Sequence, residues 1–288
     1  MLNYDVVKNW PFEEIRQNLT ARDTMLYALG VGMGADPMDI GQLRFVCENG
    51  LIAMPSMASV LCTSGPWMTD PRTGADFSRF VAGEQDITIH RPLPVEAEVR
   101  ATTRVTRVAD KGPGKGALIE QVRDVRGPGG ELLATVRQII FARGDGGYSQ
   151  GSSRSDEAPA PLPSIPERRP DAEVVLTSMP QAALIFRLMG DYNPLHSDPG
   201  AAGKAGFARP ILHGLSTFGM ATHAVLRQVC DYNATRIRRL AVRFSSPVFP
   251  GETIRFQIWH EGRRGLHLRA RVDERDVAVL NNGWFEVA

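Results

Sequence analysis

Residues 213–230 read HGLSTFGMATHAVLRQVC, a run that is apolar or small on most faces of a helix and therefore predicts a buried helix. The segments after it alternate apolar with polar side chains, as strands of an antiparallel sheet do when one face is covered. They are RRLAVRFSSPVFP (238–250), ETIRFQIWHEG (252–262), GLHLRARVDERD (265–276) and AVLNNGWFEV (278–287). Together they predict a sheet packed on a helix, which is an α+β architecture.

The first half of the chain repeats this order of elements. Its alternating segments are DITIHRPLP (86–94), AEVRATTRVTRVAD (97–110), GALIEQVRDVRG (116–127) and ELLATVRQIIFAR (131–143). Helical patterns precede them at residues 21–31 and 54–65, and the second half has a matching short pattern at residues 181–190. A short helix, a second helix and antiparallel strands thus occur twice, and we predict a duplicated domain.

A segment with almost no large apolar residues separates the halves. Residues 144–170, GDGGYSQGSSRSDEAPAPLPSIPERRP, bury too little surface to offset the entropy of ordering. We predict a linker here, between an N-terminal repeat over residues 1–143 and a C-terminal repeat over residues 171–288. A long surface loop within one domain is the alternative, but the length and composition favour a connector.

The composition argues against several classes of function. The 288 residues carry 33 Lys and Arg against 32 Asp and Glu, and a net charge of +1 gives no electrostatic basis for nucleic acid or an anionic membrane as the main partner. No run of about 18 apolar residues predicts a membrane-spanning helix. The N-terminal residues lack the features of a secretion signal, and three scattered cysteines fit a reducing compartment. We expect a cytoplasmic protein.

The most informative polar residues lie in GDYNPLHSD, residues 190–198. Pro194 disfavours a helical Asn193, so the segment should be extended or turned, and Asp191, Asn193 and His196 can then face one cavity. Histidine is a natural base near neutral pH, and enclosure raises the pKa of a carboxyl group enough for it to act as an acid. The residues indicate an acid/base pair that holds a water. Asp, Asn and Pro also favour turns, so a purely structural role is the alternative.

The start of the long helix is a second candidate feature. Its first amide groups lack partners within the helix and carry the positive end of the helix dipole. Gly214 lets a substrate oxygen approach them closely, as in an oxyanion hole, although a glycine there also suits tight core packing. An acid/base pair with oxyanion donors favours protonation or hydration next to a carbonyl. The equivalent first-half region, GVGMGADPMDIG (30–41), has no histidine, so only one copy is predicted to catalyse.

The motifs GDYNPLH (190–196) and RPILHG (209–214) resemble the signature of the MaoC-like (R)-specific 2-enoyl-CoA hydratases, the hydratase 2 family. YALGVG (27–32), GEQ (83–85) and RPLP (91–94) in the first half resemble its two-domain form, which includes the hydratase 2 part of peroxisomal multifunctional enzyme type 2. One departure is Ala82, at a position where many members have a histidine before the GEQ motif.

The resemblance implies a double hot-dog fold, in which each of two tandem repeats wraps an antiparallel sheet around a long helix. It also implies reversible syn hydration of trans-2-enoyl-CoA to (3R)-3-hydroxyacyl-CoA. Asp191 and His196 would be the acid/base pair, Asn193 would hold the water, and the Gly214 amide would bind the thioester oxygen. The first half would bind the acyl tail and supply no catalytic residue. No cofactor or metal is implied, the substrate being a CoA thioester, and we expect a homodimer.

Several alternatives remain at this stage. The same chemistry could act on steroid or bile-acid side-chain enoyl-CoA, and the same fold could serve a thioesterase or a non-catalytic acyl-CoA binding module. The intact Asp-x-Asn-Pro-x-His motif argues against the thioesterase. Lys111 and Lys115, in the turn KGPGKG (111–116), are weak candidates for contacting the CoA phosphates, because a hairpin tip explains this turn equally well.

Overall fold

The computed structural model describes residues 1–151 and 154–288. Ten antiparallel strands form one continuous sheet: β1 Ile15–Leu19, β2 Phe80–Ile89, β3 Ala97–Asp110, β4 Ala117–Arg126, β5 Leu132–Ala142, β6 Ala172–Thr177, β7 Ile237–Phe244, β8 Thr253–Glu261, β9 Gly265–Val272 and β10 Val277–Val287. The alternating segments predicted from the sequence all contain strands. The short edge strands β1 and β6 were not predicted.

The sheet confirms the predicted duplication. The first half contributes strands in the order β1-β3-β4-β5-β2, and the second half contributes β6-β8-β9-β10-β7, which is the same order of equivalent strands. The halves join where β2 pairs with β7, from Glu84 opposite Arg243 to Thr88 opposite Arg239. One sheet therefore runs through both repeats.

The α-helices are α1 Tyr4–Lys8, α2 Ala21–Gly30, α3 Ile40–Leu43, α4 Ala182–Phe186, α5 Pro199–Lys204 and α6 Gly214–Gln228. The long helix predicted at residues 213–230 corresponds to α6, which is buried along most of its length. Gly219 of α6 lets α2 approach closely, because a Cβ atom there would lie 2.4 Å from Val31 Cγ1. The Ser216 hydroxyl donates to the Gly30 carbonyl, which also fixes the two halves to each other.

The helix predicted at residues 54–65 is much shorter than expected. Only Pro55–Val60 is helical, as a 3-10 helix. The backbone amide and carbonyl groups that would continue the helix are instead hydrogen-bonded to side chains from other parts of the fold. The backbone amide of Cys62, which would bond the Ala58 carbonyl in an α-helix, donates instead to Gln17 Oε1. The buried guanidinium of Arg123 donates to the carbonyls of Ala58 and Ser59. Within residues 1–151 and 154–288, a long helix is therefore present only in the second half.

The predicted linker, residues 144–170, contains no helix or strand in its described part, and Ser152 and Ser153 lie outside the described residues. Polar contacts attach it to the folded repeats. Asp156 accepts hydrogen bonds from the Lys8 ammonium group at 2.7 Å and the Val108 amide at 2.8 Å, and Trp259 Nε1 donates to the Arg168 carbonyl. Across the described chain, the helices are too short or too polar to traverse a lipid bilayer.

Candidate active site

The loop that carries the polar motif is shaped by short-range hydrogen bonds. Gly190 adopts a left-handed conformation, with φ of 108°, and terminates the 3-10 helix Arg187–Met189. Asp191 Oδ1 then accepts from the Asn193 amide at 3.2 Å, and Asn193 Oδ1 accepts from the Leu195 amide at 3.0 Å. Asn193 is not helical, with φ of −55° and ψ of 122°, in line with the preference that the following proline imposes. The loop turns directly into the 3-10 helix Pro194–His196, which directs His196 inward.

His196 is buried, with 8% of its surface exposed, and one hydrogen bond sets its tautomer. Its Nδ1 lies 2.9 Å from the Ile211 carbonyl, which can only accept, so the neutral ring carries its hydrogen on Nδ1. Nε2 is then the nitrogen with a free lone pair. Burial lowers the pKa of His196, against opposing contributions from the Ile211 carbonyl and the Asp191 carboxylate. A neutral imidazole with a free Nε2 is the form that accepts a proton.

A second histidine lies against the first. The rings of His196 and His213 stack with centroids 3.7 Å apart and planes 25° apart. His213 Nε2 lies 3.2 Å from the Asp191 carbonyl, to which it must donate, and its buried Nδ1 has no hydrogen-bond partner within the described residues. Burial and the neighbouring His196 lower the pKa of His213. His213 thus stays neutral and connects the loop of Asp191 to the start of α6.

Asp191, His196 and His213 each place one polar side-chain atom within 4.8 Å of the others. Since a hydrogen bond to water spans about 2.8 Å, one water molecule can contact two of these atoms together. The same three residues are a possible set of metal ligands. Because the two rings stack nearly in parallel and each already uses one nitrogen on a carbonyl oxygen, their lone pairs are poorly arranged to meet at one ion.

The N-terminus of α6 borders this cluster, because Gly214 directly follows His213. Among the described residues no acceptor bonds the amides of Gly214 and Leu215, so both are available to a ligand. The Gly214 backbone also lies against the Phe244 ring, since a Cβ atom at Gly214 would be 3.1 Å from Phe244 Cε1. Free amide donors therefore lie beside the Asp–His pair.

The residues predicted from the sequence have different environments. Asp191, His196 and Gly214 meet through His213, whereas Asn193 is exposed, with its side-chain oxygen used to cap the loop. Asp191 is also exposed, so the enclosed carboxyl group expected from the sequence is not observed. Lys111 and Lys115 are exposed on the β3–β4 turn, where the Lys111 ammonium group lies 5.3 Å from the centre of the Phe141 ring. Their contact with CoA stays a prediction.

Sequence reasoning assigned no role to His213. His213 directly precedes Gly214 in the motif RPILHG, and no local pattern in the sequence gives it a role. The sequence does offer one positional signal. His213 immediately precedes the long helix, so its side chain lies at the helix N-terminus, close to the free amides. Its contact with Asp191, 22 positions earlier in the chain, depends on tertiary packing.

Comparison with known proteins agrees with this architecture. The MaoC-like domain matches residues 162–282, and the N-terminal domain of multifunctional enzyme type 2 hydratase 2 matches residues 18–144. The peroxisomal enoyl-CoA hydratase 2 of Arabidopsis thaliana is 38% identical over 96% of this chain and 93% of its own.

Solved structures support the same fold. A MaoC-like dehydratase from Phytophthora capsici superimposes with a TM-score of 0.85 and 32% identity, over 100% of this chain and 99% of that one. A Mycobacterium tuberculosis protein with a double hot-dog fold, 17% identical over 94% of this chain and 93% of its own, gives a TM-score of 0.59 and bears on the fold alone. The predicted double hot-dog fold is confirmed. The chain belongs to the MaoC-like dehydratase family, in the two-domain form that includes the hydratase 2 enzymes.

Proposed function

We propose that this chain catalyses the reversible syn hydration of trans-2-enoyl-CoA to (3R)-3-hydroxyacyl-CoA. The observation that carries the proposal is the placement of the Asp191 carboxylate and the His196 imidazole beside the free amides of α6. The family supports hydro-lyase chemistry on a thioester, because similar proteins are named enoyl-CoA hydratase 2 and 3-hydroxyacyl-thioester dehydratase.

The geometry suits addition of water across a polarised double bond. A water held by Asp191 and His196 loses a proton to the pair as its oxygen bonds to C3 of the enoyl group. The electrons of the double bond move toward the thioester, whose oxygen becomes negative and accepts hydrogen bonds from the Gly214 region. The pair then delivers a proton to C2 on the same face. The product is a 3-hydroxyacyl thioester, and dehydration follows the reverse path.

His196 is suited to the proton-accepting role. With Nδ1–H donated to the Ile211 carbonyl, the neutral ring offers Nε2 to the water. Because burial lowers its pKa below the usual 6.5, the ring remains neutral at pH 7. The polar atoms of Asp191 and His196 lie within 4.8 Å of each other, so one water molecule can contact both.

The test compares hydration of crotonyl-CoA and of a longer trans-2-enoyl-CoA by the wild type, Asp191→Asn and His196→Gln. We expect each variant to lose about 10²-fold or more in kcat, because a positioned acid or base contributes about 10²- to 10⁴-fold. The wild-type product should be the (3R) alcohol. Asp198→Asn is the matched control, since Asp198 is an exposed carboxylate of the same loop that caps α5 through the Gly200 amide at 2.7 Å.

Two results would reject the proposal: a wild type that hydrates no enoyl-CoA, or Asp191 and His196 variants that are as active as Asp198→Asn. Release of free CoA without hydration would indicate a thioesterase instead. Contact of Lys111 and Lys115 with CoA, a homodimer and a cytoplasmic location stay predictions.

A further inference from the structure

Three glutamines form a row across the sheet of the first half. Gln85 on β2 lies opposite Gln138 on β5, and Gln138 lies opposite Gln121 on β4. Their sequence neighbours form ion pairs on the outer face, Arg137 bonding both Glu84 and Glu120, so alternation places all three glutamines on the inner face. We call Gln85, Gln138 and Gln121 the glutamine row.

The glutamine row interrupts the hydrophobic core. On one side of it Ile87 and Val136 belong to the main core, and on the other side Ile119 and Ile140 belong to a separate apolar cluster. Across the equivalent strands of the second half, β7, β10 and β9, the row formed by Leu240, Phe285 and Leu266 is apolar and buried. A hot-dog repeat therefore does not require polar side chains at this position.

The hydrogen bonds of the row have a fixed direction. The indole Nε1 of Trp67 can only donate, and it donates to Gln121 Oε1 at 3.2 Å. The Gln121 amide nitrogen then donates to Gln138 Oε1 at 2.7 Å. The chain of bonds ends at the amide nitrogen of Gln138, for which the described residues provide no acceptor. The amide nitrogen of Gln85 lies outside this chain and also has no acceptor among them. The nitrogen of Gln85 is also fully buried, in a residue that is 2% exposed. Such donors call for an oxygen acceptor.

The row lies near the candidate active site. Gln85 pairs with Val242 on β7, two residues from the Phe244 ring that contacts Gly214. With strands about 4.8 Å apart and a rise of about 3.3 Å per residue, Gln85 is roughly 8 Å from Phe244 along the sheet. The half-buried Gln138 and Gln121 continue the row farther into the first half. The acyl tail of a ligand held at Gly214 is therefore long enough to extend to the row.

We propose that the glutamine row binds an oxygen substituent, a hydroxyl or oxo group, on the acyl tail of the substrate. The inference rests on the proposed function, because it takes the thioester to lie at Gly214. The oxygen accepts hydrogen bonds from the amide nitrogens of Gln138 and Gln85, which a hydrocarbon tail would leave without partners. The substrate class is thus a CoA thioester with an oxygenated tail. The two amide donors distinguish it from a CoA thioester with an unsubstituted acyl chain.

The test measures equilibrium binding with saturated thioesters, which undergo no hydration. Decanoyl-CoA is compared with a positional series of hydroxydecanoyl-CoA thioesters, with the hydroxyl group on the distal half of the chain. We expect at least one position to bind more tightly than decanoyl-CoA, by about two- to tenfold for each neutral hydrogen bond formed. Gln138→Leu and Gln85→Leu should abolish this preference, so that hydroxydecanoyl-CoA and decanoyl-CoA bind with equal affinity.

Gln257→Leu is the matched control. Gln257 is also a half-buried strand glutamine with two hydrogen bonds, to Glu173 at 2.8 Å and from Arg269 at 2.9 Å, but it lies on β8 of the second half. This variant should keep the preference. Circular dichroism checks that each variant is folded. If Gln138→Leu does not fold, Gln138→Met is measured in its place.

The inference is overturned if no hydroxylated thioester binds more tightly than decanoyl-CoA, or if the preference survives in both row variants. These results are independent of catalysis. A wild type that hydrates enoyl-CoA but binds both tails equally removes this inference alone. A wild type that prefers the hydroxylated tail but hydrates nothing removes the proposed reaction and leaves the tail site in place.

Discussion

Replacing His213 by phenylalanine should slow catalysis more than it destabilises the protein. The new ring can keep the stacking against His196 and Phe186, but it lacks the Nε2–H group that donates to the Asp191 carbonyl at 3.2 Å. A neutral hydrogen bond contributes about 1 kcal/mol to stability. Since Asp191 is exposed and water can replace the lost donor, we expect destabilisation of only about 0.5 kcal/mol.

The catalytic effect should be larger because the lost bond positions the reacting pair. It holds the backbone of Asp191, whose carboxylate lies within 4.8 Å of the His196 ring. Complete loss of a positioned acid or base costs about 10²- to 10⁴-fold, so partial loss of its alignment should lower kcat about tenfold with KM nearly unchanged. His213→Gln restores a nitrogen donor near the position of Nε2 and should recover most of the activity.

The assay follows the loss of enoyl-thioester absorbance during hydration of crotonyl-CoA, with chemical unfolding in urea measured in parallel. His223→Phe is the control, because His223 is a histidine of α6 with the same 1% exposure, and its ring makes no hydrogen bond to the loop of Asp191. That variant should retain wild-type kcat. The reasoning is refuted if His213→Phe retains it too, or if the two variants lose activity equally.

Three further predictions follow from the same region. In Gly214→Ala the new Cβ lies 3.1 Å from Phe244 Cε1 and beside the free amides, so kcat/KM should fall at least tenfold; an unchanged kcat/KM would contradict the oxyanion role. Burial lowers the pKa of His223 to about 4, so the unfolded chain binds more protons between pH 6.5 and 4. His223 should lower stability by up to about 3 kcal/mol as the pH drops through that window, and in urea unfolding the loss for His223→Phe should be smaller by that amount, with the shares of His196 and His213 remaining. Dialysis against a chelator should leave hydration unchanged, because the stacked rings of His196 and His213 are poorly placed for one ion; activity lost and then restored by zinc would show otherwise.

The strands and the duplication were predictable because their signals are local. Strict alternation of apolar and polar residues identifies a half-covered strand, and two such sets in the same order indicate a repeat. The edge strand β1, IRQNL, is only five residues long and carries mostly polar side chains, so alternation does not distinguish it from a loop. Its place in the sheet comes from pairing with β3, far along the chain.

The candidate site was predictable only where its residues are close in sequence. Asp191, Asn193 and His196 lie in one loop, whose shape depends on a proline and two turn hydrogen bonds. The contribution of His213 could not be predicted in this way. Its stacking on His196 requires α6 and the loop to pack together, and no periodicity in the sequence encodes that distance.

The shortened helix of the first half links the two proposals. Gln17 and Arg123 bind the backbone groups that a longer helix would use, so the 3-10 helix Pro55–Val60 has no continuation. In the second half α6 continues for 15 residues and its repeat has an apolar inner row. In the first half, where the equivalent helix ends early, Gln85 is buried and Gln138 and Gln121 are half-buried, and the Gln85 amide nitrogen has no partner among the described residues. Because both repeats share one sheet, a change confined to the first half can alter tail recognition without displacing Asp191, His196 or Gly214.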